Sequence, residues 1–247
     1  MAAAAERAVE FTIRAFEPGS AVPQIADHEV HIWALCLDDA HSMHSLRESL
    51  SPDELERTSR FRFERHQNQY VLTRGTLRCL LSGYLGISPS EISFQYSKYD
   101  KPRLTQTQDL DFNLSHTEGM AIFGFTRGHR IGVDIERLRS DFPAGEIAER
   151  FFSLAEREAL RETRAARRHE VFFRIWTRKE AYIKALGEGL SHPLHQFDVS
   201  LDETASLVAT RPDSSDAQRW RLENLDIAPG FVAAAAIELD HSTEVTR

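Results

Sequence analysis

The sequence predicts an α+β protein built from two similar halves. Two observations carry this. A strand, a capped pair of helices and further strands occur twice in the same order. Aligning Ser51 with Ser153, a shift of 102 positions (153 − 51), also sets Glu54 on Glu156, Tyr70 on Phe172, Val71 on Phe173 and Leu85 on Gly187. The expected division is a poorly ordered or irregular leader over 1–28, an N-terminal half over 29–128 and a C-terminal half over 129–247. Chance alignment of two amphipathic helices is the competing explanation.

Each element has its own signal. "VHIWALCLD" (30–38) reads as a buried strand. Residues 50–86 read as one long or two consecutive helices, opened by the Ser51/Glu54 capping-box spacing with Pro52 at the first helical position. "ISFQYS" (92–97) reads as a strand and "KYDKPRL" as a turn. Residues 110–126 read as two short strands around a polar loop that holds Ser115 and His116. "RIGVDIERL" (130–138) alternates: Ile131, Val133 and Ile135 on one face, Gly132, Asp134 and Glu136 on the other. Helices follow over 151–190, opened by Ser153 and Glu156, and then strands at "FDVSL", "RWRLENLDI" and "FVAAAAIEL".

Composition limits the function. The 247 residues are 41% hydrophobic and 28% charged, as in a soluble globular protein. A net charge of -8 argues against a general nucleic-acid binder. No run of about 18 apolar residues predicts a membrane span. Two cysteines give no disulfide framework and fit a reducing, cytoplasmic compartment.

Asp134 and Glu136 point the same way from a strand, and two ionised carboxylates so close repel unless a cation lies between them. Oxygen ligands suit Mg²⁺, with Mn²⁺ as the alternative. A solvated edge pair is the other reading, and Gly132 beside them suggests space for a ligand. On the helix 172–190, Phe172, Ile175, Trp176, Ile183 and Leu186 form an apolar stripe that contains Lys179. Glu180 and Lys184 flank it at i, i+4, either as an exposed ion pair or as part of a site. A third carboxylate from this helix would complete a metal centre, and a lysine beside it would help hold phosphate oxygens.

"KP" (101–102), "FNLSH" (112–116), "GVDIE" (132–136) and "WTRKEAYIKALGEGL" (176–190) resemble, in this order and spacing, the 4′-phosphopantetheinyl transferases of the surfactin type. The resemblance covers roughly residues 30 to 235. It implies a pseudo-symmetric monomer of two α+β halves with the site between them, the C-terminal half carrying the metal site and the catalytic helix. The implied reaction moves the phosphopantetheine arm of coenzyme A to a serine of an acyl or peptidyl carrier protein and releases adenosine 3′,5′-bisphosphate. It implies that Asp134, Glu136 and Glu180 hold the metal, that Glu180 is also the base, and that Lys184 contacts the diphosphate. It further implies that Arg65, Lys101, Ser115 and His116 bind coenzyme A. Some relatives carry a lysine where Glu54 stands, and Arg57 keeps a positive charge one turn on. The run "RETRAARRH" (161–169) is a candidate contact for an acidic carrier, or a solvated face. Two rival functions remain at this stage: another metal-dependent phosphoryl-group transferase, and a non-catalytic protein that binds coenzyme A or a carrier.

Overall fold

The computed structural model describes residues 9–38, 43–99 and 101–239. Two sheets lie back to back, each covered on its outer face by helices. The first contains β1 (Glu10–Ala15), β2 (Glu29–Cys36), β6 (Met120–Arg127) and β5 (Leu110–Thr117), in the order β1-β2-β6-β5. The second contains β10 (Trp220–Leu225), β11 (Phe231–Glu238) and β7 (Ile131–Arg137), in the order β10-β11-β7. Strand pairing matches between them: β2–β6 and β6–β5 are antiparallel, as are β7–β11 and β11–β10.

The alternation read in the sequence decides which face goes where. Ile131, Val133 and Ile135 meet Val30, Ile32 and Ile122 in the layer between the sheets. Gly124 lies in that layer, where a Cβ would stand 2.7 Å from Val133 Cγ1. The outer face of the first sheet carries Trp33, Leu35, Phe112, Phe123 and Phe125 against α3 (Glu64–Leu85). The outer face of the second packs on α6 (Arg168–Leu186). The shorter helices α1 (Met43–Glu48), α2 (Pro52–Ser59), α4 (Ala144–Phe151) and α5 (Leu154–Glu162) lead into these two. Small hairpins, β3 (Phe94–Tyr96) with β4 (Pro102–Leu104) and β8 (Phe197–Val199) with β9 (Leu207–Thr210), follow the long helices.

Both capping boxes form, at Ser51/Glu54 and Ser153/Glu156. Each buries its glutamate and sets it against a cation from the long helix. Glu54 takes Arg74 and Arg78, and the Arg78 guanidinium also donates to the carbonyls of Pro89 and Ile92. Glu156 takes Lys179 at 2.8 Å, and that ammonium also donates to the carbonyls of Leu194 and Phe197. The charge inside the apolar stripe is therefore fully partnered. Arg78 and Lys179 are 101 positions apart (179 − 78), as are the left-handed C-cap glycines Gly86 and Gly187. The long helices thus correspond at a shift of 101, one less than the capping boxes, so Leu85 does not match Gly187.

Several expectations are corrected. Residues 10–15, placed in an irregular leader, form a strand parallel to β2; this edge strand is held by backbone pairing, with Phe11 packed on the core and Ile13 exposed. Residues 1–8 of that leader, and 240–247 at the other end, lie outside the described residues. The expected turn at 98–104 contains β4. Ser115 and His116 lie within β5 rather than in a loop, because Phe112, Leu114 and their polar neighbours keep the strand alternation through Thr117.

Removing the counter-charge from buried Lys179 should be far more costly than weakening a surface pair. Glu156→Gln is expected to lower the unfolding free energy by about 3 kcal/mol or more. Glu149→Gln, which touches only the exposed Arg157–Glu149–Arg161 cluster, is expected to change it by no more than about 1 kcal/mol. Urea titration of the two variants checks the contrast.

Candidate active site

The site forms where β7, β5 and α6 converge. Gly132 sets the first contact. A Cβ there would lie 2.0 Å from the carbonyl oxygen of Ala181 and 2.3 Å from the amide nitrogen of Ala185. The glycine makes room for the backbone of α6, not for a ligand, which corrects the reading from sequence. Ala181 and Ala185 on the helix and Ala234 and Ala236 on β11 are buried in the same layer. With the helix seated this closely on the strand, Glu180 and Lys184 stand over Asp134 and Glu136.

The free edge of β7 meets β5 through side chains. The amide of Ile131 donates to Asp111 Oδ2 at 3.0 Å, that of Val133 to Asn113 Oδ1 at 2.9 Å and that of Arg137 to Thr117 Oγ1 at 3.4 Å. Thr117 Oγ1 donates to Glu136 Oε2 at 3.3 Å, and Ser115 Oγ donates to Asp134 Oδ1 at 2.8 Å. Sequence reasoning passed over Asp111, Asn113 and Thr117. Their signal was present: with Ser115 they are the polar members of a strict alternation in "LDFNLSHT", which demands a polar partner on that face.

Lys184 completes the centre. Its ammonium lies 2.6 Å from Asp134 Oδ1 and 2.9 Å from Ser115 Oγ. It pairs with the strand aspartate rather than with Glu180 of its own helix. Burial, and then the Asp134 charge, lift the Glu180 carboxyl to a pKa of about 7, against the pull of Lys184. Glu136 is raised for the same two reasons. Asp134 Oδ2 is buried and has no hydrogen-bond partner.

Three expected metal ligands therefore share one neighbourhood, yet among the described residues no three ligating groups stand ready to coordinate an ion. Lys184 pairs with one of them, Asp134. The donor set still fits a hard divalent cation. It consists only of carboxylates, it is destabilised by its own charge, and it holds an unsatisfied buried oxygen.

Beside this centre is a cavity of about 650 Å³ lined by Leu37, Asp38, Met43, Glu64, Arg65, Asn68, Gln69, Leu72, Glu118 and Gly119. His116 reaches its edge, with Nδ1 2.9 Å from Gln69 Nε2. Part of the imidazole meets solvent; desolvation of the rest, and then Lys184, hold its pKa below the ordinary value. Arg65 is part of this lining. Ser115, expected beside it at coenzyme A, lies instead at the Asp134–Lys184 pair. Arg57 is outside the lining, with its guanidinium over the Tyr70 ring.

Lys101 also departs from expectation. Its ammonium is buried and directed at Asp111 Oδ2 and the carbonyls of Ile131 and Ala185, at 3.2 to 3.4 Å. It ties β4 to β7 and α6 instead of facing a ligand. In the basic run, Arg161, Arg167 and Arg168 are engaged by Glu149, by Glu170 with Glu203, and by the carbonyls of Arg161 and Thr163 respectively.

Comparison with known proteins gives family matches and named relatives. Residues 130–236 match the sequence model of the 4′-phosphopantetheinyl transferase superfamily, and residues 38–124 match that of the 4′-phosphopantetheinyl transferase N-terminal region. The chain is 37% identical over 214 residues to the 4′-phosphopantetheinyl transferase HetI of Nostoc sp., covering 85% of this chain and 87% of that protein. It is 30% identical over 199 residues to the 4′-phosphopantetheinyl transferase Sfp of Bacillus subtilis, covering 80% and 86%.

The Glu180 carboxyl of the metal-free protein is expected to titrate near pH 7 in carbon-13 NMR. Its folded-state pKa lies above the ordinary 4.5, so at this group stability is full below the ordinary value and falls as pH rises toward 7. Asp134→Asn removes the repelling charge and should lower the midpoint by about one unit or more. A wild-type midpoint at the ordinary value would contradict the arrangement.

Proposed function

The chain belongs to the 4′-phosphopantetheinyl transferase superfamily, and on that premise we propose that it transfers the phosphopantetheine arm of coenzyme A to a serine hydroxyl of an apo acyl or peptidyl carrier protein. The observation that carries this reading is the meeting of Glu180 and Lys184 with Asp134 and Glu136 beside the cavity that Arg65 and Gln69 line and His116 borders through Gln69. The absence of a disulfide framework supports a cytoplasmic setting.

A serine hydroxyl is a weak nucleophile near neutral pH and benefits from a base positioned to take its proton. Glu180 suits this role by its place beside Lys184 and Asp134, and burial with the Asp134 charge raises its carboxyl to about 7 before any cation binds. The serine oxygen attacks the phosphorus that carries the phosphopantetheine arm. The bond between that phosphorus and the bridging oxygen breaks, and adenosine 3′,5′-bisphosphate leaves with the bonding electrons. The Lys184 ammonium, now on Asp134 and Ser115, would meet the charge that develops on those oxygens. Asp134, Glu136 and Glu180 would hold Mg²⁺, or Mn²⁺ in its place. Bound there, it would supply Lewis-acid polarisation of the diphosphate. His116 and Arg65 would receive the phosphorylated nucleoside end in the neighbouring cavity.

Incubation with coenzyme A, Mg²⁺ and a panel of apo carrier proteins tests the reading by mass spectrometry. At least one carrier should gain the mass of one phosphopantetheine arm, and a chelator should prevent the gain. Glu180→Gln is expected to slow the transfer by about 100-fold or more. Coenzyme A binding without any gain in carrier mass would favour a binding protein instead.

A further inference from the structure

We infer that Gln69 is a positioning residue that fixes the tautomer of His116, so that the imidazole offers its Nε2–H to an anionic group in the cavity beside Arg65. Gln69 is half-buried in the first turns of α3, and its amide Nε2 lies 2.9 Å from His116 Nδ1. An amide nitrogen can only donate, so Nδ1 must accept, and the one proton of the neutral ring resides on Nε2. The backbone of Gln69 is held within α3. Its backbone carbonyl accepts the Thr73 hydroxyl at 2.8 Å, and the next residue, Tyr70, packs on Phe61.

The environment makes the tautomer matter. The Lys184 ammonium and partial desolvation favour the neutral ring. A neutral imidazole has one N–H, and an anion is attracted to that edge and repelled by the lone pair on the other. Without Gln69 the proton could reside on either nitrogen, and part of the population would turn a lone pair toward the ligand. Gln69 thus supplies orientation and leaves the charge of the cavity unchanged.

The inference rests on the proposal that this cavity takes the phosphorylated end of coenzyme A, and the test separates the two. Nitrogen-15 long-range correlation spectra of the full chain, recorded without coenzyme A, should show His116 as the Nε2–H tautomer. Gln69→Leu should give a mixture, and Gln69→Glu, whose carboxylate can only accept, should shift the proton to Nδ1. Gln69→Leu should also raise the KM for coenzyme A about threefold to tenfold, as expected for one neutral hydrogen bond, with a much smaller change in kcat. An Nδ1–H ring in the wild type, or an unchanged tautomer in Gln69→Leu, overturns the inference whatever coenzyme A does. The expected tautomers with an unaltered KM in both Gln69→Leu and His116→Ala would show that coenzyme A binds elsewhere, and would overturn the proposed role along with the cavity assignment.

Discussion

The structure depends on one close approach. At Gly132 the backbone of α6 occupies the space a side chain would fill. That contact fixes how far Glu180 and Lys184 stand from Asp134 and Glu136. Any larger residue would have to push the helix outward against an interior already close-packed. The alanines at 181, 185, 234 and 236 keep the surrounding layer equally thin. A carboxylate pair on a strand is ordinary by itself. Pressed against a helix that adds a third, it becomes a crowded centre whose charge Lys184 and the raised pKa of Glu180 relieve, and which a divalent cation would suit.

Charge reconciliation recurs through the molecule. In each half a buried capping-box glutamate accepts a cation from the long helix, and that cation also satisfies two loop carbonyls. These pairs are closed: every charge has its partner, and the helix start and the following loop are fixed together. The centre at Asp134 is open by comparison. Lys184 covers one oxygen of Asp134, while the other has none. A fully satisfied network rigidifies, whereas a partly satisfied one is suited to receive a ligand.

Much of this was legible in the sequence, and particular residues show why. The capping boxes at Ser51 and Ser153 and the alternation over 131–136 are local patterns, and the structure keeps both. Lys179 was legible as a problem, a charge on an apolar stripe, but its partner Glu156 could not be read from spacing because it comes from a different helix. Gly132 was legible as unusual, yet space for a ligand and space for a helix look alike in one chain. Lys101 shows the limit most clearly: a lysine in a turn motif reads as an exposed cation, and only the fold reveals that Asp111, Ile131 and Ala185 converge on it. The side chains that join β5 to β7 were hidden for the same reason, since the sequence does not say which strand edge faces which.

The central claim is that the close seating of α6 on β7 makes Asp134, Glu136 and Glu180 a single cation site. The most direct measurement is an anomalous difference map at the manganese edge, from crystals grown with coenzyme A and Mn²⁺. The account predicts one peak among those three carboxylates, with the Lys184 ammonium moved from Asp134 toward the diphosphate. Manganese located elsewhere, with Lys184 still paired to Asp134, would contradict it.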